Sequence, residues 1–150
     1  MNTEYFEDIK VGMVREFGQK TVTLDEIIEF ATKYDPQPFH IDEDAAKDSI
    51  YGGIIASGWH TAGMTMRMMV DHMINPRTSL GSPGVNNLRW LKPVRPGDTL
   101  RARTEVIATK RSKSRPNMGT VFGLMQVFNQ KNEMVMSFET IGMTLARSKE

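Results

Sequence analysis

The feature that most constrains this chain is the run from Gly58 to Ile74, whose apolar residues surround a helix instead of striping one side of it. Trp59, Ala62, Met64, Met66, Met68, Met69, Val70, Met73 and Ile74 cover most of the circumference. That pattern predicts a helix buried on several sides, about 25 Å long at roughly 1.5 Å per residue. Five of the chain's 12 methionines lie in it. Flexible thioethers fill irregular space, so they read as core against a curved sheet rather than as a methionine-rich binding groove.

The C-terminal half supplies that sheet. Over residues 99–109, Leu100, Ala102, Thr104, Val106 and Ala108 alternate with Arg101, Arg103 and Glu105, which predicts one buried face and one wet face. Residues 86–94 form a strand before them, across the turn Arg95-Pro96-Gly97-Asp98, with proline and glycine where a β-turn needs them. Two further apolar runs, 119–129 and 134–146, flank the polar turn Asn129 to Glu133. In the last run the apolar parity moves from Met136 and Phe138 to Ile141, Met143 and Leu145, which calls for a bulge or a change of covering partner.

Upstream, Met13 to Val22 reads as a first strand, and Thr23 with Glu26 reads as a capping box opening a helix from Leu24 to about Tyr34. Pro36 and Pro38 disfavour helical geometry at the residues before them, so that helix ends by Asp35. Asp42 to Lys47 is a further helical turn, and Gly52-Gly53 breaks the chain. The layout is α+β, one domain over residues 1–150, with an antiparallel meander wrapped around one long helix.

Composition narrows the function classes. With 19 basic and 18 acidic side chains there is no global attraction to nucleic acid or acidic lipid. The absence of cysteine excludes disulfides and thiolate chemistry. No apolar run approaches the ~20 residues that span a bilayer. Met1 to Lys10 mixes acids and aromatics, unlike a signal peptide, so a cytoplasmic location is expected.

Chemistry concentrates in Asp35-Pro36-Gln37-Pro38-Phe39-His40-Ile41-Asp42. A carboxylate and an imidazole are proton-transfer partners near neutral pH if a rigid elbow presents both to one point. Fully extended, the elbow would hold Asp35 and His40 roughly 15 Å apart, so the chain must curl. The alternative is that Asp35 caps a helix end while His40 is a satisfied surface histidine. His40 and Asp42 alternate on an extended segment and could touch one metal, but two ligands do not make a site, and no metal is expected. A second feature is Ile55-Ala56-Ser57-Gly58-Trp59-His60-Thr61. A glycine opening a buried helix leaves backbone N–H groups free to hold an oxyanion, though it is also an ordinary N-cap device.

These segments resemble the MaoC-like dehydratases, close to the (R)-specific enoyl-CoA hydratases. The family's Asp-x-Asn-Pro-x-His-x-Asp motif matches Asp35 to Asp42, with Gln37 in place of asparagine. The resemblance continues in Tyr5-Phe6-Glu7-Asp8, in Ala56 to Thr61, and in Leu91 to Leu100. It implies a hotdog fold, a homodimer, and an Asp35–His40 dyad that activates water. It also implies the Gly58 N–H as donor to the thioester oxygen of a 2-enoyl or 3-hydroxyacyl substrate. Gln37, Asp42, Ser57, Trp59 and His60 are expected in supporting or pocket-lining roles, with Asp42 buttressing the elbow. The substrate carrier would be coenzyme A or an acyl carrier protein, with no separate cofactor.

Two rivals belong to other classes. A hotdog thioesterase wants a carboxylate early in the central helix, yet Asp71, the helix's only acid, lies near its end. A non-catalytic acyl-thioester binder would have lost turnover at the altered elbow. The basic run 110–116 is either a phosphate contact for coenzyme A or a solvated loop, and without interleaved aromatics it does not suit nucleic acid.

Overall fold

The computed structural model describes residues 2–147; Met1 and residues 148–150 of the expected domain lie outside the described residues. In chain order the elements are a 3-10 turn (Phe6–Asp8), β1 (Val14–Thr21), α1 (Leu24–Tyr34), α2 (Pro38–Ile41) and α3 (Glu43–Lys47). They continue with α4 (Gly58–His72), β2 (Val85–Trp90), β3 (Thr99–Arg111), β4 (Met118–Phe128) and β5 (Met134–Leu145). The strands make one antiparallel five-stranded sheet in the order β1-β3-β4-β5-β2. Met64, Met68 and Met69 of α4 join Leu100, Ala102, Met125, Val127, Met136 and Phe138 of the sheet in one apolar core.

Local chemistry accounts for the elements read from sequence. Thr23 accepts the Glu26 N–H, and the Glu26 carboxylate reaches back to the Thr23 N–H, so α1 opens on a capping box. Gly97 has φ +89° beside Pro96, and the Asp98 N–H donates to the Arg95 carbonyl, so the 95–98 turn needs its glycine.

Four expectations need correction. The helix expected over 58–74 ends at His72, and the apolar residues around its circumference are not all core: Trp59 is 61% exposed, Met66 47% and Val70 50%. Its methionines therefore divide, with Met64 and Met68 in the core alone, Met69 in the core and bordering an open groove, and Met66 and Met73 lining that groove. The strand expected at 86–94 stops at Trp90 and pairs with β5 at the far edge of the sheet, so the meander is β3-β4-β5 alone. Pro93 has no N–H to donate to a ladder, and the Val94 carbonyl is taken by the Ala56 N–H instead.

The alternation in β3 holds through Thr104 and fails after a register shift between Val106 and Ala108, where Ile107 turns half to solvent. The parity change in β5 has no bulge against β4 behind it. Pairing runs unbroken from Met136 to Leu145, so Ile141, Met143 and Leu145 lie on the face opposite Met136 and Phe138.

Because α1 carries Asp35 at its end, its cap bears on the site as well as on stability. Replacing Thr23 by alanine should lower unfolding stability by about 1 kcal/mol in a urea titration, with Thr23→Ser close to wild type.

Candidate active site

Pro36 stops α1, leaving Asp35 as its C-cap with the backbone N–H on the Ala31 carbonyl. The chain then curls. Gln37 N–H donates to the Asp35 carbonyl, Pro38 occupies the first position of α2, and His40 N–H donates to the Gln37 carbonyl. His40 thus sits in a helical turn, not on the extended segment expected, and it is 4% exposed, not a surface histidine. The curl brings His40 Nε2 to 3.2 Å from Asp35 Oδ2.

Each partner is held from a second direction. His40 Nδ1 lies 2.6 Å from the Ile55 carbonyl, and Phe39 packs edge-on against the imidazole at 4.5 Å. A carbonyl only accepts, so Nδ1 carries its hydrogen and Nε2 is the atom that gains or loses a proton. On the carboxylate, Oδ1 accepts from the Gln37 amide at 2.7 Å, and Oδ2 accepts from the Ser57 hydroxyl at 2.7 Å. Partial burial pushes the Asp35 pKa up, but the Gln37 and Ser57 hydrogen bonds and the positive charge available on His40 outweigh it, leaving the group below the ordinary carboxylate value. Asp35 is therefore held as the anion.

Gly58 is the first residue of α4, immediately after Ser57, and Ser57 makes no side-chain cap to the helix. As a first-turn residue its N–H has no carbonyl one turn back to bond. The structure adds a reason for glycine that the sequence did not suggest. A Cβ at Gly58 would lie 2.3 Å from Cε2 of Trp90, whose indole covers this point from the end of β2. Trp59 meets Trp90 edge-on at 5.1 Å. The contribution of Trp90 was missed because it enters from the far sheet edge, and that of the Ile55 carbonyl because a backbone group leaves no side-chain signature.

Other expected residues lie apart from this cluster. Asp42 does not touch the dyad; its carboxylate caps α3 by accepting from the Asp44 and Ala45 N–H groups. His60 stacks on Phe30 at 4.8 Å and faces a second cavity with Lys20 and Glu26, with Nδ1 buried and without a partner. Burial lowers the His60 pKa, opposed by the Glu26 carboxylate and reinforced by Lys20. In the basic run, Arg111 bonds Pro116 and Glu7 and covers Phe6, so it is engaged within the chain. Among the described residues no group of three His, Asp or Glu side chains is placed to hold a metal, and no helix is long and apolar enough to cross a membrane.

Along the open face of α4 runs an apolar groove of about 370 Å³. Trp59, Ala62, Met66, Met69 and Met73 form one wall, and Leu88 and Phe138 stand opposite on the sheet. Of the first turn of the helix, Trp59 lines it.

Two outcomes follow from this geometry. Gly58→Ala should perturb tryptophan emission and destabilise the fold by about 1–3 kcal/mol, with much of the loss recovered in Gly58→Ala/Trp90→Ala, as a double-mutant cycle would report. Because the Asp35 pKa is lowered in the fold, its contribution to stability is complete above the ordinary aspartate value of about 3.8 and lost as the pH falls through the folded value. Asp35→Asn should therefore flatten the fall in melting temperature below that pH.

The MaoC like domain model matches residues 8–126. A crystal structure of a MaoC-like dehydratase from Rhodospirillum rubrum superposes with a TM-score of 0.90 at 37% identity, covering 97% of this chain and 99% of that one. The YdeM protein of Bacillus subtilis (strain 168) is 29% identical over 133 residues, 89% of this chain and 93% of its own length. The (R)-specific enoyl-CoA hydratase of Rhodospirillum rubrum is 35% identical over 104 residues, 68% of this chain and 69% of its own length. In three other relatives the chain spans only 30%, 63% and 22% of the relative's length. The helix-on-sheet architecture is thus the hotdog fold, and the chain belongs to the MaoC-like dehydratase domain family.

Proposed function

We propose that this protein adds water to a 2-enoyl thioester, or removes it from the 3-hydroxyacyl thioester, with coenzyme A as carrier. The observation that carries the reading is the pairing, at 3.2 Å, of an anionic Asp35 with Nε2 of His40, adjoining the open N-terminus of α4. An (R)-specific enoyl-CoA hydratase among its relatives supports it. A water bridging the two groups gives a proton to His40 Nε2, and Asp35 stabilises the resulting imidazolium. The hydroxyl oxygen bonds to the β-carbon, and the C=C electron pair shifts toward the thioester oxygen, where the Gly58 N–H holds the developing charge. The imidazolium then returns its proton to the α-carbon. One water is consumed and no electrons are exchanged, so the reaction calls for no cofactor beyond the carrier.

The groove along α4 accommodates the acyl chain, since it is apolar and is lined by Trp59, the residue after Gly58. We also propose a homodimer formed through β2, which borders the sheet on one side and leaves Val85 48% and Trp90 45% exposed. Sedimentation equilibrium should return twice the chain mass. The thioesterase reading gains nothing from Asp71, which pairs with Arg67 at the far end of α4, about 20 Å from Gly58 at roughly 1.5 Å per residue.

Asp35→Asn and His40→Ala should each slow crotonyl-CoA hydration by at least ~10²-fold while the circular dichroism spectrum is unchanged. Full activity in both variants would remove the dyad. Release of free thiol by the wild type would indicate a thioesterase, and tight binding without turnover a non-catalytic binder.

A further inference from the structure

We propose that the groove along α4 measures a long, unbranched acyl chain of roughly 16 carbons, with the Arg15–Glu4 ion pair as its end stop. The proposal rests on the hydration reading for the chemistry at the thioester, and on the groove alone for the length of the chain.

The helix lies across the strands, not along them. Its first turn stands at the β2 edge of the sheet, where Trp59 meets Trp90. Its last turn stands at the β1 edge, where the His72 ring lies 5.9 Å from that of Phe17 and the Met68 sulfur reaches Gly18. The groove follows the whole crossing, because every strand lends it a residue: Leu88, Phe138, Gly123, Val106 and Arg15, in spatial order. Two rulers measure it. Trp59 to Met73, both in its wall, is about 21 Å at roughly 1.5 Å per residue. Five strands side by side set four gaps of about 4.8 Å, or about 19 Å. An extended carbon chain advances roughly 1.2 Å per bond, as an extended backbone does over its three bonds per residue. The crossing therefore matches roughly 16 carbons.

The chemistry of the lining agrees with the length. Among the described residues its only charged side chains are Arg15 and Glu4, paired with each other at the β1 end, away from Gly58. A methylene chain gains from burial along the rest of the wall. A chain that ran further would strip water from the ion pair without replacing its hydrogen bonds, which sets the stop. Met66, Met69 and Met73 form the helix side, and their unbranched thioethers adjust to a flexible chain.

The test uses the full chain. Hexadecanoyl-CoA and butyryl-CoA are saturated, so neither can be hydrated, and they share the whole carrier, so their difference reports the chain alone. Titrated below micelle formation and followed by tryptophan emission, hexadecanoyl-CoA should bind at least ~10²-fold more tightly. In hydration, kcat/KM should climb from crotonyl-CoA to trans-2-hexadecenoyl-CoA and level off for longer chains. Val106→Trp and, separately, Met66→Trp should block the groove part way and lower the hexadecenoyl-to-crotonyl ratio of kcat/KM at least ~10-fold. Arg15→Leu combined with Glu4→Leu should carry the climb on to longer chains.

Equal affinity for the two saturated thioesters overturns the proposal. So does a ratio that neither tryptophan variant lowers. If the wild type sediments as a dimer and both tryptophan variants as monomers, the groove is a subunit surface and the proposal fails. If hexadecanoyl-CoA binds tightly but no enoyl thioester is hydrated, the groove assignment stands and the reaction reading fails. If crotonyl-CoA is hydrated with a higher kcat/KM than hexadecenoyl-CoA, the reaction reading stands and the chain length fails alone.

Discussion

Two donors converge on the carboxylate of Asp35, the Gln37 amide and the Ser57 hydroxyl, and Nε2 of His40 lies 3.2 Å from it. That convergence ties together the end of α1, the proline-stiffened elbow and the start of α4. A half-buried carboxylate is costly unless it is bonded, and the donors that satisfy it come from separate pieces of chain. Electrostatics also divides the labour within the pair. Asp35 is stabilised as an anion, while the Ile55 carbonyl makes Nε2 the exchanging position of His40. The aspartate is thereby suited to steadying charge and the histidine to moving a proton.

The central helix faces two environments. One side is dry and packed by methionines against the concave sheet. The other carries Trp59, Met66 and Val70 at around half exposure, beside the groove. Large apolar side chains left together in water mark surfaces that receive something. In the proposed reaction an acyl chain would cover Trp59 and Met66, which line the groove.

Much of the fold was legible because local signals agreed with the tertiary outcome. The Thr23–Glu26 box, the prolines after Asp35 and the Pro96-Gly97 turn each act within a few residues, where sequence spacing equals spatial spacing. The long helix and the alternating strands announced themselves by period. Misreadings arose where distant chain intervened. The 86–94 segment looked like a hairpin partner of β3, but its continuation is engaged by Ala56 and its ladder lies with β5. The circumference of α4 was read as burial, because composition does not tell a core from a groove.

At the site, the residue types and their order were determined by the sequence itself: an acid and an imidazole five positions apart, stiffened by proline, and a glycine opening a helix. Covalent order cannot supply the contacts between them. Tertiary structure alone decided that Asp42 turns away to cap α3, that His60 stacks on Phe30, and that Trp90 crosses from the far edge to cover Gly58. It also decided that Ser57 reaches Asp35 instead of its own helix. The reason is range. Caps, turns and periodicity are set by neighbours along the chain, whereas a buried polar group takes the strongest partner that folding brings near, and that partner can be any residue.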